Sequence, residues 1–180
     1  MNIDLSKTEK SIERGVAWIL KQQDAKTGGW HPSTYGAMRG GASATALALF
    51  VGAHLPKAYR NRREWKRGLE FLLRGLSKRD CIACPDGTLD YPTYSTALTL
   101  IATSRLQLTI PADQRIKLIE YLLSAQLTEA NGFDANHIDY GGWDLLGASG
   151  ALGITSGTNT SVSYFAVEAL SGEQHADRDT

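Results

Sequence analysis

The chain has 180 residues, 42% of them apolar, and its 19 basic residues balance 19 acidic ones. That is enough for one domain with a real core, and the balance leaves no electrostatic footprint for nucleic acid or an anionic membrane. No run reaches the ~18 consecutive apolar residues of a membrane span, and MNIDLSKTEK has neither region of a signal peptide, so a cytoplasmic location is expected.

The first helix is predicted through RGVAWILKQQ, with Ile12, Gly15, Val16, Ile19 and Leu20 on one face and Ser6 and Glu9 as a capping box. It runs out into the glycine pair and aromatic Gly28, Gly29, Trp30. After a loop from about Asp24 to Ala42 comes SATALALFVGA, which is apolar on nearly every side and therefore expected to be buried all round. A short return near Leu55 to Asn61 leads to a second amphipathic helix carrying Trp65, Leu69, Leu72, Leu73 and Leu76, and the mixed run from Arg60 to Arg67 is its solvated start. The loop from Ser77 to Pro92 holds Cys81 and Cys84 and precedes the second apolar helix, TYSTALTLIATSRL. Pro111 opens a third amphipathic helix with Ile116, Ile119, Leu122, Leu123 and Leu127 inward. A loop from Thr128 to Asn159 leads to the third apolar segment, SVSYFAVEAL, and a polar tail is expected over 173–180, leaving one domain over 1–172.

These elements repeat. Arg14, Arg67 and Lys117 open three matching segments, RGVAWILKQQ, RGLEFLLRGL and KLIEYLLSAQ, at offsets of 53 and 50 residues. The expected architecture is all-α, three helical hairpins side by side with amphipathic helices outside and apolar helices inside. All the long loops then emerge on one face, at the amino ends of the inner helices. Long loops are commonly functional, so a site is expected there, unless the glycine-rich loops serve to clamp neighbouring repeats.

RGVAWILKQQDAKTGGW resembles the QW motif of the terpenoid cyclases, with Arg14, Gly15, Trp18, Ile19, Gln23, Gly28 and Trp30 in its places. The third repeat keeps Lys117, Tyr121, Leu122 and Gln126 and reaches Gly141 and Trp143 only after an inserted loop. The second keeps Arg67, Gly68, Phe71 and Leu72 but has Leu76 for the Gln and no Trp. The segments TEANGFDANHIDYGGWDLLG and TSGTNTSVSYFAVEAL are similar to bacterial prenyltransferase and squalene oxidase repeat proteins. The resemblance implies the α/α toroid of squalene and hopene cyclases and of protein prenyltransferase β subunits, in which the Gln ties down a helix end and the Trp stacks over it. Three hairpins amount to about half of such an α6/α6 barrel, so further repeats or self-association are expected to complete it.

The same resemblance frames the chemistry. Hopene-type cyclases protonate their substrate with an Asp-rich motif at the start of an inner helix; here Thr96 and Ala97 remain and the aspartates are gone. Ionisation-initiated chemistry needs Mg²⁺ held by clustered carboxylates. Asp139, Asp144 and Asp90 are the candidate acids on the loop face, with Asp86 and Asp134 nearby, and they are equally suited to turns and caps beside Gly and Pro. Cys81 and Cys84, with His31 or His137, have the spacing for half a zinc site, but the Asp-x-Cys of prenyltransferases is absent, and neither a metal nor another cofactor is predicted. His31, Tyr35, Tyr91, Tyr94, Tyr140 and Trp143 are candidates to line a cavity for an isoprenoid-like molecule, or else to pack the core. Three functions stay open: a cyclase-like protein that binds or converts an isoprenoid or other apolar ligand, a non-catalytic repeat scaffold that binds a protein or glycan through its loop face, and a zinc-dependent prenyltransferase remnant.

Overall fold

Apolar periodicity and turn chemistry produce six helices among the described residues: α1 (Leu5–Lys21), α2 (Ala42–His54), α3 (Arg63–Leu76), α4 (Pro92–Leu106), α5 (Ala112–Ser124) and α6 (Thr160–Ala176). The computed structural model describes residues 5–76, 80–84, 86, 90–147 and 157–176, without side chains for 174–176. No strand is present among them, only isolated bridges pairing Gln23 with Trp30 and Gln126 with Trp143.

The apolar helices form the middle layer. α4 packs between α2 and α6, α3 lies against α2, and α5 lies against α4 and α6. Every residue of α4 from Ser95 to Thr103 is buried. Hydroxyl groups survive in that dry setting because they bond within their own helix, Thr99 Oγ1 to the Ser95 carbonyl at 2.7 Å and Thr103 Oγ1 to the Thr99 carbonyl at 2.8 Å. The small side chains let α2 and α6 meet across α4, where Phe50 and Phe165 contact edge to face at 5.2 Å and Tyr94 joins Phe165 at 5.7 Å. At the far end of these helices Arg105 bonds His54 and pairs with Glu168 at 2.6 Å.

α3 is held by shape. Trp65 is fully buried and donates its indole N–H to the Tyr59 carbonyl at 2.9 Å, and its ring lies so close to α2 that a Cβ on Gly52 would sit 2.9 Å from it. A smaller cluster of Ala125, Trp143, Val162 and Ala166 joins the main core through Tyr94, Tyr121 and Leu170.

Three expectations about boundaries and faces change. Ser6 lies inside α1 rather than at its cap, because the helix already includes Leu5. Ile116 and Leu123, expected inward, are exposed, and α5 rests on Leu118 and Leu122. α6 continues to Ala176, into the stretch expected as a polar tail, because Glu173 is gripped in two hydrogen bonds by Arg115 at 2.8 and 2.6 Å.

Trp65→Ala removes the largest fully buried side chain from the α2–α3 seam. It is expected to cost roughly 3–5 kcal/mol in urea unfolding, and an effect under ~1 kcal/mol would contradict the packing described.

Candidate functional site

An outer helix that ends against a neighbour leaves its last carbonyls unpaired, and the GGW turn is what pairs them. In the first repeat the Trp30 indole N–H donates to the Ile19 carbonyl at 2.7 Å, and the Trp30 backbone N–H donates to Thr45 Oγ1 on α2 at 2.8 Å. The Gln23 amide donates to two carbonyls, Gly28 at 2.8 Å within the turn and Glu64 at 2.8 Å on α3. Trp30 stacks on Trp65 with ring centres 5.9 Å apart. Gly28 is left-handed (φ +81°), and a Cβ there would stand 2.9 Å from the Arg67 carbonyl oxygen.

The third repeat reproduces this despite its inserted loop. The Trp143 indole donates to the Leu122 carbonyl at 2.7 Å, its backbone N–H to Ser163 Oγ at 3.0 Å, and Gln126 to the Gly141 carbonyl at 2.9 Å. Gly141 has φ +82°. The insertion folds on itself through Asn131, which bonds the Ser124 and Gln126 carbonyls, and Tyr140, whose hydroxyl donates to Glu129 at 2.7 Å. In the eroded second repeat fully buried Ile82 takes the place of the Trp, and its N–H donates to Thr96 Oγ1 at 3.0 Å. Arg14, Gly15 and Trp18, the remaining motif positions of the first repeat, lie exposed on α1.

The amino ends of the inner helices hold the candidate acids. Gly41, at the cap of α2, has no side chain to offer, and Asp90 from the next repeat replaces it. Its carboxylate accepts from the Ser43 N–H at 3.0 Å, from the Ser43 hydroxyl, from the Tyr91 N–H at 2.8 Å and from the Cys84 thiol at 3.2 Å. Ser95 Oγ lies 2.8 Å from Ser43 Oγ. Burial pushes the Asp90 carboxyl above its ordinary range, outweighing the N–H donors that pull it down. Burial also raises the Cys84 thiol to about 12, and the Asp90 charge adds to it, so Cys84 is protonated and donates to Asp90.

The other two candidates have different tasks. Asp139 accepts from the Thr158 N–H at 2.8 Å while its carbonyl accepts the Thr158 hydroxyl at 2.9 Å, fastening the insertion to the segment before α6. Asp144 is fully buried, accepts from the Leu146 N–H at 2.8 Å, and adds its charge to the burial that raises Tyr121. Among the described residues no three His, Cys, Asp or Glu side chains converge to hold a metal ion.

A groove of about 630 Å³ runs between α1, the 30–38 loop and the outer flank of α2, lined by Trp18, Ile19, Tyr35, Met38, Leu47 and Val51 among others. Of the predicted cavity residues, His31 and Tyr35 line it, whereas Tyr91, Tyr94, Tyr140 and Trp143 do not. His31 is braced by Thr27 at 2.9 Å and meets Phe71 edge-on at 5.3 Å. Sequence reasoning missed Ser43 as the partner of Asp90 and Ser95 as the partner of Ser43, and Leu47 and Val51 as groove walls. The i, i+4 spacing of Leu47 and Val51 was the available signal for the second pair.

A scan against protein-family models, a search of the curated proteins and a search of the solved structures each find no match to the chain.

Asp90→Asn turns one acceptor into a donor facing buried N–H groups and is expected to cost about 1–3 kcal/mol in urea unfolding. Because the folded carboxyl titrates above the unfolded one, wild type gains stability relative to the variant as pH falls from neutral towards the ordinary value of 3.8, and this gain is lost as pH rises through the folded pKa. A gap that narrows on acidification would contradict this. Gln23→Ala, which strips two carbonyls, one in its own turn and one across the seam, is expected to destabilise more than Gln126→Ala, which strips one.

Proposed function

We propose that the chain is a non-catalytic helical-repeat module of the terpenoid cyclase-like kind, working by binding rather than by bond chemistry. Asp90 carries this reading. It stands at the start of an inner helix, its carboxyl is committed to Ser43, Tyr91 and Cys84, and it is not among the residues that line the groove. Protonating an alkene requires an acid presented to a water-free, substrate-sized cavity, and ionising a diphosphate requires clustered metal-binding carboxylates. Asp139 and Asp144 are likewise held by backbone donors.

A second reading rests on the groove, whose walls of Trp18, Tyr35, Met38, Leu47 and Val51 suit an apolar isoprenoid-like molecule. Tryptophan fluorescence separates the two parts. Farnesol binding that shifts emission in wild type and is lost in Trp18→Ala would support the ligand reading, and no shift would dispose of it.

Incubation with squalene, and with farnesyl diphosphate plus Mg²⁺, is expected to return substrate unchanged. A cyclised or ionised product that disappears in Asp90→Asn would overturn the non-catalytic reading.

A further inference from the structure

The repeats can be placed in register by their own hydrogen bonds: Trp30, Ile82 and Trp143 stand over Thr45, Thr96 and Ser163. In that register Ala44, Leu47, Ala48 and Val51, the α2 wall of the groove, correspond to Ser95, Leu98, Thr99 and Ala102 on α4, and all four of these are fully buried. On the outer helices, Trp18 corresponds to Phe71. Phe71 is 5% exposed, covered by Gly29 and His31 of the repeat before it, whereas Trp18 is 65% exposed. The groove is therefore the face of the first repeat that, in the second repeat, lies under a neighbour.

The opposite flank shows the complementary vacancy in side-chain contacts. Ala46 and Leu49, fully buried on α2, correspond to Tyr164 and Val167 on α6, which are 62% and 53% exposed. Gly28 is closed over by the Arg67 backbone, but a Cβ on Gly141 would meet nothing within 4 Å. Gln23 bonds outward to the Glu64 carbonyl, while the bond made by Gln126 stays within its own turn. Arg67 donates to the Ala25 carbonyl at 2.6 Å, and its counterpart on α1, Arg14, reaches only Ser11 at 3.4 Å.

We propose that the α1–α2 face of one copy packs on the α5–α6 face of a second copy, head to tail, repeating the junction that joins the first repeat to the second. The occupant is a second copy because α1 carries the fitting pattern: Arg14, Gly15, Trp18 and Ile19 stand where Arg67, Gly68, Phe71 and Leu72 stand in the junction already formed. In this junction Gln126 donates to the Ser11 carbonyl as Gln23 does to that of Glu64, and Arg14 donates to the carbonyls of the Leu127–Thr128 turn. Gly142 is already covered by Thr158 of its own chain, so Trp18 packs instead beside the open Gly141. Each copy offers one of each face, and the proposed junction includes a half-turn, which closes two copies into a ring through two identical contacts.

The proposal is independent of the non-catalytic reading, because its readout is mass and not turnover. Light scattering of the purified chain at micromolar concentration is expected to give twice 19.6 kDa. Trp18→Asp and Val167→Asp, both at exposed positions, are each expected to give a monomer with unchanged circular dichroism. Mixing the two variants is expected to restore a dimer, since one intact face of each remains. A wild-type monomer, a dimer that survives both substitutions, or a mixture that stays monomeric would each overturn the proposal.

Discussion

The hydrogen bond from the Trp30 indole to the Ile19 carbonyl is the contact on which the rest of the arrangement depends. It closes the end of α1 with a side chain large enough to reach α3 as well, so one residue both satisfies a helix terminus and builds the seam with Trp65. Gln23 adds the backbone of α3 to the same knot. The helix end itself is paired within its own repeat, so docking is sensed by the bonds that leave it, Gln23 to the Glu64 carbonyl and Arg67 to the Ala25 carbonyl. A misdocked repeat loses both, which gives the junction its specificity.

The amino ends of the inner helices are handled in three different ways. α2 takes a carboxylate from a distant loop, α4 begins at Pro92 with the Thr93 N–H donating to the Leu145 carbonyl at 3.3 Å, and α6 uses its own Asn159, whose side chain accepts from the Ser161 and Val162 N–H groups at 3.1 Å. Two of these three caps cross between repeats. The long loops thus bring partners to helix starts, and the polar groups that look like chemistry in the sequence are drawn into that task. Asp90 illustrates the consequence: negative charge is favoured at a helix amino end, yet burial opposes it, and the carboxyl is left with a raised pKa and no free edge.

Local patterns were legible in the sequence and long-range partners were not. The helices followed from apolar periodicity, and Gln23, Gly28 and Trp30 were recognisable because their spacing lies within a few residues of one helix end. The Asp90–Ser43 pair spans 47 residues, and nothing in either neighbourhood announces the other. The extension of α6 was hidden for the same reason, since Glu173 is held by Arg115 from another helix. Ile116 and Leu123 show a different limit: their periodicity fits an inward position and both are exposed, because whether a face is covered depends on what lies beside it, which periodicity does not encode.

The hydroxyl ladder of α4 separates composition from surface character. Thr99 and Thr103 spend their oxygens on carbonyls one turn back, so what they present to α2 and α6 is largely methyl. Along that stretch the helix stays slim and its hydroxyl rotors are fixed by its own backbone. Polar contact with neighbours is left to its first turn, where Ser95 meets Ser43 of α2 and Thr96 accepts from Ile82, so the middle of the rod fits by contour while the helix starts carry the polar recognition.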